Sequence, residues 1–279
     1  MGWKGGRAHL GKKALLLGVC LGFGGAGCAR RPAESSYTVA QQHAMNAEDI
    51  FRHGNVDQAI AEMDKAIRLD RKTALLYHFE RGNYYLTKKD YAHAIADFQR
   101  CVEAQPTNVI AYFSRGTAYK LQGDRAHALA DFQQAIQLQP GYVDAYINLG
   151  DVYSEQGDAR RAIATYQLAL NFAPQNAILW GNLGWSQYLA GDYPASIRSS
   201  VKALQLNRGL VYVRYNLGLV YAVLKDARNA ETQYRYALAG STPDAQQAAT
   251  KDVTDALKRH PQSAAVLNRM LPLIQNTRP

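Results

Sequence analysis

Few residues in this chain have the types and spacing that catalysis or metal binding requires. His93 and His127 stand 34 residues apart and could form a metal-binding pair, since imidazole is a common zinc ligand. Both fall in the first turn of a predicted helix, where side chains face solvent, so we favour a surface role. No Ser/His/Asp, Cys/His or paired-carboxylate arrangement stands out. The sequence therefore predicts no metal, no cofactor, no small-molecule substrate and no enzymatic activity.

A second chemical motif is a glycine-rich run near the start of the chain. Residues 22–27 match the glycine spacing of dinucleotide-binding loops. Such a loop must follow a strand and open a helix, and neither is predicted here. The net charge of +9 also fails to indicate nucleic-acid binding, because basic and acidic residues are interleaved along the chain.

The N-terminal segment has the layout of a secretion signal. Residues 1–13 are basic and rich in glycine, and residues 14–27 are apolar and uncharged. The apolar part is too short for a comfortable membrane span. We predict that residues 1–27 are a signal peptide, absent from the mature chain.

The three cysteines do not predict a disulfide. Cys20 leaves with the signal peptide, and Cys28 follows it directly. Cys101 occupies a position where small residues recur, which favours burial. The mature chain is therefore expected to have no intrachain disulfide, despite an oxidising compartment.

A period of 34 residues organises most of the chain. It is marked by five glycines: Gly82, Gly116, Gly150, Gly184 and Gly218. An alanine follows each glycine after twelve residues, and an aromatic residue follows after sixteen, in four of the five copies. The copy of Gly184 instead carries Ser196 and Ser200. Several marks held in phase over five copies indicate a true structural repeat.

Each mark has a physical reason if the repeat is a pair of helices. A glycine and an alanine let the two helices cross closely, and the aromatic residue fills the space beside them. Gly-Asp or Lys-Asp in the middle of each copy predicts the turn between the helices. Pro106, Pro140 and Pro174 end the second helix of their copies.

This pattern resembles the tetratricopeptide repeat, a helix–turn–helix unit of 34 residues. The resemblance implies an all-α fold, a right-handed superhelix of stacked repeats with C-terminal capping helices. We place six repeats at 40–74, 75–108, 109–142, 143–176, 177–210 and 211–244. Thr242 and Pro243 predict a helix start, and capping helices are expected over residues 245–273.

The residues before Cys28 resemble the lipobox of bacterial lipoproteins. Gly25-Ala26-Gly27 supplies the small residues, although leucine is usual at the place of Gly25. The resemblance implies that Cys28 is acylated and that residues 28–39 form a tether. Ala29 then favours the outer membrane, with the protein facing the periplasm. An ordinary secretory peptide cut nearby remains the alternative.

In tetratricopeptide-repeat proteins the first helix of each repeat lines a concave groove. The resemblance assigns apolar or aromatic residues to it, among them Leu76, Phe79, Ile110, Phe113, Ile147, Trp185, Tyr188, Tyr212 and Tyr215. The sixth place of three repeats carries Asn148, Asn182 and Asn216, which could bind a peptide backbone. Two alternatives stay open: the aromatic residues pack against one another or the capping helices, and asparagine is simply common at its place.

The predicted function is a protein–protein interaction scaffold held at the bacterial outer membrane by a lipid anchor. Tetratricopeptide repeats on a lipoprotein resemble the pilotins of type IV pili, which implies secretin subunits as partners. An adaptor lipoprotein that docks peptidoglycan hydrolases or synthases is the alternative. The architecture alone does not separate these two, nor the groove from the convex face as the binding surface.

Overall fold

The computed structural model describes residues 36–70 and 74–275. Within them the chain forms fourteen α-helices and one 3₁₀ turn, Pro261–Ser263, that precedes the last helix. The helices are α1 Ser36–Arg52, α2 Val56–Leu69, α3 Ala74–Lys88, α4 Tyr91–Ala104, α5 Val109–Gln122, α6 Arg125–Leu138, α7 Val143–Glu155, α8 Ala159–Phe172, α9 Ala177–Leu189, α10 Tyr193–Leu206, α11 Val211–Val223, α12 Ala227–Leu238, α13 Pro243–Arg259 and α14 Ala264–Gln275. The twelve predicted repeat helices and the capping helices are thus present.

The turn inside each repeat has a left-handed residue followed by a helix cap. Gly123 has φ of 94°, and the equivalent Lys89 and Lys225 each adopt φ of 64°. The next residue is an aspartate in five repeats: Asp90, Asp124, Asp158, Asp192 and Asp226. Each carboxylate accepts a hydrogen bond from the backbone N–H three residues ahead, which stabilises the start of the second helix.

The recurrent glycine lies against the recurrent aromatic ring of the same repeat. A Cβ on Gly150 would lie 2.5 Å from the ring of Tyr166, and one on Gly82 would lie 2.7 Å from Phe98. Both rings are buried. The prediction that glycine permits a close helix crossing is therefore confirmed, and the aromatic ring is what occupies the space.

The fifth repeat makes the same crossing without a ring. A Cβ on Gly184 would lie 2.6 Å from Ser200 Oγ. Ser196 Oγ donates a hydrogen bond of 2.7 Å to the carbonyl oxygen of Gly184. Two small serines therefore bring α10 against α9 by a polar contact, where repeats two, three, four and six use a ring.

Repeats two and three also contain ion pairs between a half-buried arginine and a buried aspartate. Arg81 donates to the two carboxylate oxygens of Asp97 at 2.8 and 2.6 Å, and Arg115 repeats this with Asp131. Arg81 also reaches Asp64 of the preceding repeat. Later repeats carry a leucine at the arginine's place: Leu149, Leu183 and Leu217. Repeat packing is therefore partly ionic at the N-terminal end and apolar beyond it.

The odd-numbered repeat helices form the inner layer of the solenoid. Helix α7 contacts α5 and α9, and α9 also contacts α11, whereas the second helices of successive repeats do not approach one another to this extent. A stack of helix pairs curves toward the side on which neighbouring helices are closer together, and that side becomes concave. The first helix of each repeat therefore lines the concave face, as the resemblance implies.

The ends of the solenoid differ slightly from the predicted boundaries. Thr242 caps α13 and Pro243 is its first residue, as expected, and α14 ends at Gln275 rather than near 273. Helix α1 begins at Ser36, so the last four residues of the predicted tether are helical. The signal peptide and Cys28 lie outside the described residues. No helix in the described part of the chain is long and apolar enough to cross a membrane.

Gly150→Ala should destabilise the protein. Alanine gains about 1 kcal/mol of helix propensity, but its Cβ would overlap the buried ring of Tyr166, whose hydroxyl is held by Asp151. Overpacking at so short a contact costs about 2–3 kcal/mol. We expect a net loss of about 1–2 kcal/mol in the free energy of unfolding, measured by urea denaturation with circular dichroism.

Gly141→Ala is the matched control. Its Cβ would lie 3.8 Å from Phe172, an ordinary contact distance, and Gly141 has no positive φ. This variant should stay within about 0.5 kcal/mol of the native protein. Equal stabilities for the two variants would contradict the glycine–ring contact.

Asp97→Asn should lower the free energy of unfolding by about 2 kcal/mol at pH 7, because it leaves the half-buried Arg81 with only the partly exposed carboxylate of Asp64. Burial opposes ionisation of Asp97, but hydrogen bonds from Arg81 and His78 outweigh it and hold its pKa below the usual value. The stabilisation is therefore complete above the unfolded pKa of about 3.9 and is lost as the pH falls through the folded pKa.

Urea denaturation at pH 7 and at pH 3 checks this prediction, since the difference between native and variant proteins should shrink at the lower pH. Glu231→Gln is the control, because the partner Arg269 is largely exposed and the pair is worth less than about 1 kcal/mol. A difference for Asp97→Asn that is unchanged at pH 3 would refute the role given to its carboxylate.

Candidate interaction groove

A ladder of polar side chains crosses the concave face from α5 to α11. Lys120 Nζ donates to Asn148 Oδ1 and to Asp151 Oδ2, each at 3.2 Å. Asp151 Oδ1 accepts from Asn182 Nδ2 at 3.2 Å and from the buried Tyr166 hydroxyl at 2.7 Å. These bonds join the inner helices of successive repeats and so fix the spacing of the groove floor.

The three asparagines at the sixth place are therefore not equivalent. Asn182 is bonded at both ends of its amide, since its Oδ1 also accepts from the Tyr212 hydroxyl at 3.4 Å. Asn148 accepts from Lys120 and donates to the carbonyl oxygen of Asp144. The side-chain amide of Asn216 has no hydrogen-bond partner among the described residues. Two of the three thus have a structural role, and their use as backbone ligands remains a prediction.

The C-terminal end of the groove is filled by the chain itself. Tyr188 is 3% exposed and Tyr215 is 5% exposed, in one core cluster with Ala249 and Val253 of α13. The guanidinium of Arg259 lies 5.6 Å from the ring centre of Tyr188. Burial raises the pKa of Tyr188 to about 12. The hypothesis that Tyr188 and Tyr215 bind a partner is not compatible with this burial. Both side chains instead pack against the capping helix α13.

Two other predicted groove residues belong to the same packed end. Trp185 is half-buried, and its ring stacks on that of Tyr188 with centroids 5.2 Å apart. Tyr212 is half-buried over Gly181, where a Cβ would lie 2.7 Å from the Tyr212 hydroxyl. In repeats five and six, therefore, the first alternative holds: the aromatic residues pack against one another and against the capping helices.

The groove is open over the first four repeats. Leu76 is 59% exposed and Ile110 is 41% exposed, while Phe79, Phe113 and Ile147 are half-buried. We call the following set the N-terminal groove: Met45, Leu76, Phe79, Ile110, Phe113 and Ile147. The rings of Phe79 and Phe113 rest against Phe98 and Phe132 of the same repeats, so they are held in place at the surface.

Met45 is the groove residue that the sequence analysis missed. It is 65% exposed and stands at the sixth place of the first repeat, two residues before Ala47. That repeat has Ala47 in place of glycine and Met63 in place of the aromatic ring. Aligning the first repeat on Ala47 and Met63 would have placed Met45 at a groove-facing position.

The first helices of the first two repeats also carry two carboxylates, Glu48 and Glu80. Burial raises the pKa of Glu80, which lies at the sixth place of the second repeat, and the nearby charge of Glu48 adds to the rise. Glu80 makes no ion pair among the described residues, whereas Glu48 pairs with Arg52. The N-terminal groove is therefore apolar with an uncompensated acid.

The other residues considered for chemistry have structural partners. His93 and His127 are exposed, as predicted, and each bonds to the capping aspartate of its helix and stacks on a tyrosine. No group of three potential metal-ligating residues occurs in the described part of the chain. Cys101 is buried and free, as expected, and burial raises its pKa to about 11.

Comparison with known families agrees with this architecture. Two family models, both of the tetratricopeptide repeat, match residues 45–109 and 119–183. The chain therefore contains tetratricopeptide repeats, and its fold is a tetratricopeptide-repeat solenoid. Such repeats bind protein partners. Among curated proteins no sequence matches this chain.

Several solved structures share the fold at low sequence identity. A tetratricopeptide repeat protein from Parabacteroides merdae ATCC 43184 is 14% identical, with a TM-score of 0.66 over 85% of this chain and 99% of its own. PilW, a widely conserved type IV pilus biogenesis factor, is 20% identical, with a TM-score of 0.64 over 75% and 98%. MamA is 23% identical, with a TM-score of 0.56 over 61% and 92%. These likenesses establish the fold alone.

Proposed function

We propose that this protein is a non-enzymatic scaffold that binds a segment of an envelope protein in the N-terminal groove. The observation that carries the proposal is the contrast between the two ends of the concave face. The chain's own helix α13 covers the aromatic residues of the last repeats, whereas Leu76 and Ile110 remain exposed. A contiguous exposed apolar surface on a rigid framework is typical of an interaction site.

The groove chemistry favours a partner segment with apolar anchors and a basic residue. Phe79 and Phe113 offer ring faces already held by packing, so little entropy is lost when a partner side chain docks on them. Glu80 follows Phe79 directly in the chain, is half-buried and makes no ion pair among the described residues, and a lysine or arginine of the partner would supply a cation. Anchors of this kind dominate the binding energy of most interfaces.

The proposed membrane anchor adds to this affinity. Acylation of Cys28 would hold the solenoid at the outer membrane, with each buried methylene contributing about 0.8 kcal/mol. Only the short segment up to Ser36 separates Cys28 from α1, the helix that carries Met45. The N-terminal groove would thus lie at the anchored end, where tethering raises the effective concentration of a partner in the same membrane.

Assembly of a type IV pilus secretin is the role that we propose for this scaffold. Two features support it: the predicted lipoprotein leader, and a fold shared with PilW, a type IV pilus biogenesis factor, over most of both chains. A scaffold tethered beside a secretin subunit could hold an apolar segment of that subunit until the ring forms.

Leu76→Ala combined with Ile110→Ala should abolish recovery of the partner. Both side chains are exposed, so the fold should persist, while loss of two anchors costs about 2 kcal/mol or more in binding. We expect at least about tenfold less partner after cross-linking in cells, solubilisation in detergent and identification by mass spectrometry, with secretin subunits as the protein lost.

Leu168→Ala combined with Val201→Ala is the matched control, because both residues are exposed on second helices. It should recover the partner normally. If both double variants recover secretin equally, the N-terminal groove is not the working surface. If the recovered proteins are peptidoglycan hydrolases or synthases, the secretin role fails while the groove assignment stands.

Cys28→Ser should release the protein from the outer membrane or leave it unprocessed, because serine cannot form the thioether that carries the lipid. Membrane fractionation and mass spectrometry of the mature N-terminus check this. A Cys28→Ser protein that still fractionates with the outer membrane would contradict the anchor, whereas Cys20→Ser should change nothing.

A further inference from the structure

The fifth repeat departs from the others along its second helix. Four successive inward positions of α10 carry small residues: Ala195, Ser196, Ser199 and Ser200. In the flanking repeats the place of Ser200 holds the buried rings of Tyr166 and Tyr234. The loss of a ring brings α10 close to α9, and the outer side of the solenoid is left with an opening beside it.

This opening is a cleft of about 520 Å³ between α8 and α10, floored by α9. Its lining residues are Gln167, Leu170, Trp180, Leu183, Gln187, Ala195, Arg198, Ser199 and Lys202. Helical periodicity turns Trp180, Leu183 and Gln187 about 140–160° away from Trp185 around α9, and both walls of the cleft are second helices. The cleft therefore opens on the convex side, away from the N-terminal groove.

The walls of the cleft combine an apolar floor with a basic rim. Trp180 is fixed by a hydrogen bond of 2.8 Å from its Nε1 to the carbonyl oxygen of Pro174. Arg198 and Lys202 stand one turn apart on α10, and neither makes an ion pair among the described residues. No carboxylate lines the cleft, so its charge is positive and uncompensated.

The cleft also holds an incompletely bonded amide. Gln187 is 8% exposed, and its Oε1 has no hydrogen-bond partner in the described structure. A buried polar atom without a partner is costly, and a donor that reaches it is correspondingly favoured. Rotation of the terminal amide is enough to present this acceptor to a group in the cleft.

We propose that this convex cleft binds the C-terminal end of a partner polypeptide whose last side chain is apolar. The last residue of a chain offers three groups within a few ångströms: a carboxylate for Arg198 and Lys202, a backbone N–H for the amide of Gln187, and a side chain for the floor at Trp180. A fatty acid or phosphatidylglycerol offers an anion and an apolar part but no N–H beside them.

The test uses the purified mature chain and two fluorescein-labelled hexapeptides, Gly-Ser-Gly-Ser-Leu-Phe with a free carboxylate and the same peptide with a C-terminal amide. Fluorescence anisotropy should give a dissociation constant at least about tenfold lower for the free acid. Arg198→Gln combined with Lys202→Gln should remove this preference. The control is Arg228→Gln with Arg235→Gln, which removes two exposed cations from the second helix of the next repeat and should bind normally.

A second variant separates binding from folding. Gln187→Leu removes the unpartnered amide, so it should raise the midpoint of thermal unfolding and yet weaken binding of the free acid. Leu76→Ala with Ile110→Ala should leave binding unchanged, which keeps this cleft distinct from the proposed groove. Equal affinities for acid and amide, no binding of either at millimolar concentration, or binding only to vesicles of phosphatidylglycerol would overturn the proposal.

Discussion

The close packing of a glycine against an aromatic ring, made in four of the six helix pairs, is the contact on which the rest of the structure depends. It brings the two helices of a repeat to a close crossing, as Gly150 and Tyr166 show, and the stacked repeats then place their inner helices side by side. The hydrogen bonds from Lys120 through Asp151 to Asn182 join these inner helices. The concave face is therefore a rigid surface whose open part is decided by which side chains the capping helices cover.

The helix pairs, their turns and the C-terminal cap could be predicted from the sequence, because each depends on residues close together in the chain. A glycine or lysine before an aspartate specifies a turn and a cap locally, and Thr242 with Pro243 does the same for α13. The burial of Cys101 follows from its place in the period. The start of α1 at Ser36 could not be predicted, since the residues before Ala40 carry no repeat mark.

The candidate site was predictable only in part, because exposure depends on contacts between distant segments. Phe113 and Tyr215 occupy the same place in their repeats, yet Phe113 is half-buried in an open groove and Tyr215 lies beneath α13. Nothing in the repeat itself distinguishes them; the difference arises from a helix that begins about thirty residues after Tyr215 and folds back. In the same way, Ser200 reads as an exception in the sequence, whereas in the structure it accompanies a cleft on the convex face.

Site-specific photocross-linking in cells tests the central claim most directly, since it reports which face meets a partner without disturbing the fold. A photoreactive phenylalanine analogue at Ile110 would stand in the N-terminal groove, and one at Leu168 would stand on the outer layer, both at exposed positions. The account predicts a discrete adduct with an envelope protein from position 110 and none of the same mass from position 168. An adduct from position 168 with none from position 110 would contradict it.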